Sequence, residues 1–104
     1  MKRYKVKEVC EMTGLTRKQL YDYQNIVNPS SFEKSGYKLY DEPAVERLIL
    51  VANYRKILMP LKTIKDILNE KEYDVIGAIT MQIEALAVRK EELGIMIELA
   101  ESLI

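Results

Sequence analysis

Along residues 1–70 the apolar positions come in short blocks whose period changes from block to block. Val6, Val9 and Cys10 recur at i, i+3, i+4, which marks one face of a helix. Thr13-Gly14-Leu15 interrupts that face, and glycine lets the chain reverse direction between two short helices. Thr16 is placed to cap a second helix that enters through Arg17, Lys18, Gln19 and Leu20 and reaches about Gln24. Asn28-Pro29-Ser30-Ser31 stops helical structure. From Phe32 to Tyr40 the period shortens: Lys34-Ser35-Gly36 is a turn signal, after which Tyr37 and Leu39 alternate with Lys38 and Tyr40. This pattern predicts a small two-stranded hairpin, a wing. Asp41-Glu42-Pro43 opens a third helix, with Asp41 as N-cap and Val45, Leu48, Ile49, Ala52 and Ile57 turned inward. Pro60 separates it from a fourth helix carrying Leu61, Ile64, Ile67 and Leu68.

The longest periodic signal lies in the tail. Ile76, Ile79, Ile83, Leu86, Lys90, Leu93, Ile97, Ala100 and Ile104 are spaced alternately by three and four residues. That is the a/d pattern of a heptad repeat. A helix from Asp74 to Ile104 would be roughly 45 Å long. A head of about 70 residues cannot cover such a stripe, so a second copy of the chain is the expected partner. Lys90 is the charged member of the seam and is expected to snorkel or to fix register. The chain therefore divides into a head, residues 1–70, and a dimerisation helix, residues 71–104, joined through Asn69-Glu70-Lys71-Glu72.

Charge sharpens this division. The formal net charge is zero, but residues 1–70 carry 13 Lys/Arg against 9 Asp/Glu and residues 71–104 carry 3 against 7. A basic head and an acidic tail fit phosphate contact by the head alone. No apolar run is long enough to cross a bilayer, no signal peptide is visible, and the single cysteine has no internal partner, so a cytoplasmic protein is expected. The absence of histidine excludes Ser-His and Cys-His catalytic pairs and argues against zinc. No enzyme activity, cofactor or metal is expected.

Helix, glycine turn and capped helix is the arrangement that places a second helix in the major groove of double-stranded DNA. A 100° step per residue turns Leu20 and Tyr23 toward the core and leaves Arg17, Lys18 and Tyr21 on the opposite face, with Asp22 at its edge. Arg17 can pair bidentately with guanine or clamp a phosphate, Lys18 can neutralise phosphate, and Tyr21 can donate to phosphate or stack. Lys34, Tyr37 and Lys38 suit backbone or minor-groove contact from the wing. The candidate DNA-binding set is Thr16, Arg17, Lys18, Tyr21, Tyr23, Lys34, Tyr37 and Lys38. Cys10 reads as packing filler.

These residues resemble the mercury-resistance-regulator (MerR) family. The segment Val6-Lys7-Glu8-Val9-Cys10-Glu11-Met12-Thr13-Gly14-Leu15-Thr16 is similar to its opening, and Leu20 and Tyr23 match the leucine and final tyrosine of its recognition helix. Ser35-Gly36-Tyr37-Lys38-Leu39-Tyr40 is similar to its wing motif, with lysine where arginine is usual, and Leu61-Lys62-Thr63-Ile64-Lys65-Asp66-Ile67-Leu68 to its fourth helix. The resemblance covers residues 4–68, and the tail matches the family's dimerising helix. It implies a mainly α fold: a winged helix-turn-helix head of four short helices and a two-stranded wing, followed by a long helix that pairs as an antiparallel coiled coil. It also implies a homodimer on a pseudo-palindromic operator that distorts promoter DNA for RNA polymerase. Three departures stand out. Tyr21, followed by Asp22, replaces a recognition-helix arginine. The stretch from Tyr23 to Pro29 is short and lacks a glycine. Leu58 stands where the family has a glycine between the third and fourth helices. No effector-binding domain, cysteine metal loop or small-molecule site is read in the 104 residues. Two other readings remain: an architectural or excisionase-like DNA-binding factor, and a coiled-coil adaptor whose DNA-binding head has degenerated.

Overall fold

A computed structural model describes residues 2–104. The chain forms two units, one ending at Lys71 and the other comprising Glu72–Ile104. The first contains β1 (Arg3–Lys5), α1 (Val6–Thr13), α2 (Arg17–Asp22), β2 (Ser31–Phe32), β3 (Lys38–Asp41), α3 (Glu42–Lys56) and α4 (Leu61–Asn69). The second is one helix, α5 (Val75–Ser102).

Capping hydrogen bonds open α1 and α3. The Lys5 amide donates to the Glu8 carboxylate at 3.0 Å and opens α1. Gly14 ends it in the left-handed conformation, φ 77°, and its amide reaches the Cys10 carbonyl at 2.9 Å. Asp41 caps α3 by accepting the Ala44 amide at 2.9 Å, and Pro43 follows in the first turn. The Leu58 backbone adopts φ 61° between α3 and α4. That region strongly favours glycine.

The wing differs from the expected pair of strands. β3 is the centre of a three-stranded antiparallel sheet ordered β1-β3-β2, with Tyr4 opposite Tyr40 and Phe32 opposite Lys38. The basic stretch Arg3-Tyr4-Lys5 has no strand signature of its own and becomes a strand by pairing with β3. Tyr40 is buried and Tyr37 is exposed. The core of the head closes around Val9, Leu20, Tyr40, Leu48, Val51, Met59 and Ile64. Burying one such aliphatic side chain contributes about 1.5–3 kcal/mol. α3 turns Ala44, Val45, Leu48, Val51 and Ala52 inward. Ile49, expected inside, is 38% exposed, because the apolar positions of α3 continue past the buried stripe. Ile26 and Val27 are also core residues, in the turns that follow α2.

α5 is capped by Asp74, whose carboxylate accepts the Gly77 amide at 2.9 Å. Over 28 residues it rises about 42 Å.

Candidate nucleic-acid interface

The orientation of α2 is set at its first turn. Thr16 Oγ1 accepts the Gln19 amide at 3.1 Å, and Gln19 Oε1 accepts the Thr16 amide at 2.9 Å. This reciprocal capping box fixes where the helix begins and therefore which residues face out. Leu20 and Tyr23 face the core. Tyr23 is only 5% exposed, so it leaves the candidate DNA-binding set and acts as packing beneath the helix. Three residues separate it from Leu20, and that spacing keeps both on one face. Arg17, Lys18, Tyr21 and Asp22 are exposed on the opposite side.

Asp22 has a partner. Lys18 Nζ lies 3.2 Å from Asp22 Oδ2, one helical turn away. The pair is solvent-exposed and in the less favourable lysine-first order, so it holds the two side chains together only weakly. A phosphate could compete for the lysine at little cost. Among the described residues no hydrogen bond or ion pair engages the Arg17 guanidinium, which leaves its fork of donors open to a ligand.

The wing is built on a tight turn. The Gly36 amide donates to the Glu33 carbonyl at 2.8 Å, with Gly36 at φ 90°, and the Glu33 amide donates to the Tyr37 carbonyl at 2.8 Å. Lys34 and Tyr37 are exposed near this turn. Lys38 is half-buried, and its Nζ sits 5.3 Å from the centroid of the Tyr21 ring. The wing and α2 are therefore joined by a cation–π contact at two residues that sequence reading treats as independent. Lys5 Nζ also lies 3.7 Å from Glu33 Oε1, which ties β1 to the wing turn. Neither contact leaves a signal in local sequence, because each joins residues distant along the chain. The resulting surface presents Thr16, Arg17, Lys18 and Tyr21 from α2, with Lys38 of the wing resting on Tyr21. It offers one bidentate donor, two ammonium groups and the exposed phenol of Tyr21.

On α5 the a/d positions Ile76, Ile83, Lys90, Leu93, Ile97 and Ala100 are exposed, and Ile79 and Leu86 are half-buried. Ile104 lies two residues beyond the end of α5 at Ser102. Among the described residues no cluster of three or more Cys, Asp or Glu is placed to hold a metal, and no helix is long and apolar enough to cross a membrane.

Comparison with known proteins places this geometry. Residues 4–71 match the family model described as MerR HTH family regulatory protein. The HTH-type transcriptional activator mta of Bacillus subtilis is 34% identical over 98 residues, covering 92% of this chain and 38% of that protein. The HTH-type transcriptional regulator SkgA of Caulobacter vibrioides is 27% identical and covers 97% of this chain, which spans 40% of that protein. This chain thus spans well under half the length of these relatives. The crystal structure of MtaN, the N-terminus of the Bacillus subtilis multidrug transporter activator, superposes with a TM-score of 0.80 at 32% identity, covering 94% of each chain. With a family match over residues 4–71 and a relative 34% identical, the chain belongs to the MerR family of helix-turn-helix DNA-binding transcription regulators.

Proposed function

We propose that this protein acts as a homodimer, paired through α5 as an antiparallel coiled coil, and sets two heads on a pseudo-palindromic operator. The observation that carries this reading is α5 itself, a 28-residue helix whose a/d line lies largely open in the single chain. A second copy would cover that line and carry a second α2 toward the same duplex. In each head Arg17 reads a base edge or clamps phosphate, Lys18 neutralises phosphate, and Lys34, Tyr37 and Lys38 contact the backbone from the wing. The distortion of promoter DNA for RNA polymerase enters as shape readout, paid in deformation energy by the sequence between half-sites. The relatives carry the words activator and regulator in their names.

Selection of bound duplexes from a randomised pool tests the proposal. Two inverted half-sites are expected, and recovery of a single asymmetric site would overturn the paired-head arrangement. With a selected duplex, Arg17→Ala plus Lys18→Ala should abolish the gel shift while the protein stays dimeric. Binding by the unsubstituted protein should fall steeply as salt rises. Retention of wild-type affinity by the double variant would remove α2 from the groove. The adaptor reading predicts no duplex recovered above background.

A further inference from the structure

The seam uses positions a and d of the heptad, which leaves position f on the far side of the helix. In a two-stranded coil that side is ordinarily polar. Here three successive f positions are Met81, Val88 and Ile95, exposed by 71%, 56% and 67%, and Leu99 joins them from position c. Val88 and Ile95 are β-branched, so they weaken the helix slightly compared with a lysine or glutamate. Helix propensity therefore does not account for them. From Met81 to Leu99 the stripe runs about 27 Å.

Its b-side border carries only negative charge, while the g side carries Arg89 as its single charged residue. Glu84, Glu91 and Glu98 occupy three successive b positions, and Glu92 sits at c. Within α5 no lysine or arginine falls at b, c or f; Arg89 and Lys90 lie at g and a. A second copy laid antiparallel on this stripe would set Glu91 against Glu91 and Glu84 against Glu98, which opposes self-association. The acidic border equally repels DNA. An apolar stripe edged along one side by carboxylates is complementary to a helix with an apolar face edged by lysine or arginine.

We propose that the outer face of α5, built on Met81, Val88, Ile95 and Leu99, docks a basic amphipathic helix of another protein. The proposal rests on the coiled-coil reading above, since that reading makes this face the outer one. Docking on both rods of a dimer would give two partner helices per DNA-bound complex.

The probe is a fluorescent synthetic helix of about 18 residues, matched to the stripe's length. It carries a leucine seam flanked by lysines, and a control peptide replaces the lysines with glutamates. Fluorescence anisotropy is read without DNA, and sedimentation is run on the same samples. The lysine peptide should bind the dimer at least about ten-fold more tightly than the glutamate peptide. Val88→Gln with Ile95→Gln should lower that affinity about ten-fold with the dimer intact, as should Glu84→Gln, Glu91→Gln and Glu98→Gln together, which also flatten the salt dependence. Equal binding of both peptides, or undiminished binding by either variant, overturns the docking face. A wild-type tetramer that Val88→Gln with Ile95→Gln returns to dimer overturns it in favour of self-association. A monomeric wild-type chain overturns the coiled coil and this proposal with it. A dimer that ignores the lysine peptide overturns the docking face alone.

Discussion

Two single residues carry energies that can be separated from the rest of the molecule. Leu58 sits at φ 61° and its side chain is largely exposed, so it contributes little packing to offset a conformation that costs an ordinary residue about 1–2 kcal/mol. Leu58→Gly should stabilise the protein by roughly 0.5–1 kcal/mol, because the added freedom of glycine in the unfolded chain takes back part of the relief. At fixed protein concentration the melting temperature should rise by a few degrees, and a fall would show that the leucine is held there by packing. Asp41 carries the opposite kind of effect. The Ala44 amide foremost, then the Ser30 hydroxyl, holds its carboxyl below the usual carboxylate range. A lowered folded-state pKa means the charged cap stabilises fully above the unfolded value and is lost as pH falls through the folded one. Asp41→Ala should therefore cost about 1 kcal/mol at neutral pH. Its deficit against wild type should shrink as the solution is acidified below the ordinary aspartate range of about 3.9. Urea titrations at several pH values check this, and a deficit that stays constant into acid would show that the charge is not what caps α3.

At the scale of elements, the wing and α2 behave as one part because Lys38 rests on the Tyr21 ring. Tyr21→Leu and Lys38→Met should each weaken duplex binding, and their effects should fall short of adding by a factor of roughly three. A fully additive double variant would mean that the two side chains meet DNA independently. Elements specified by local chemistry were legible in the sequence. Thr16 and Asp41 mark helix starts, Gly14 and Gly36 mark turns, and the a/d spacing marks α5. What the sequence hid depends on distant pairing. β1 exists because Tyr4 meets Tyr40, and the cation–π contact exists because β3 carries Lys38 up to α2. Sequence spacing turns Ile49 inward, whereas the fold buries Val51 and leaves Ile49 part-exposed, since several apolar stripes of α3 compete and only tertiary packing chooses among them. Within the candidate site, the exposed face of α2 followed from helical steps. The same steps point Tyr23 into the core, and the structure buries it there rather than on the DNA-facing side.

At the scale of the whole molecule, α5 presents apolar residues on two sides, the a/d line and the f/c stripe, and each invites its own experiment. Ile83→Asp or Leu93→Asp should convert the proposed dimer to monomers in sedimentation, because a carboxylate at a seam position that pairing would bury carries a large desolvation penalty. A dimer that survives both changes would move the pairing surface elsewhere on the chain. The same monomers should lose operator affinity by far more than two-fold, since each head would then bind without its tethered companion.

The sheet order β1-β3-β2 also bears on how the protein is made. Arg3 pairs with Asp41, and Tyr4 Oη donates to Glu42 at 3.3 Å across a sequence separation of 38 residues. The strand that leaves the ribosome early must wait, unpartnered, until the start of α3 has emerged. Closing so long a loop carries an entropic cost that local helix formation does not. Nascent chains arrested ahead of Asp41 should therefore hold α1 and α2 at most as fluctuating helices, and protease protection of the amino terminus should appear only once β3 has cleared the exit tunnel.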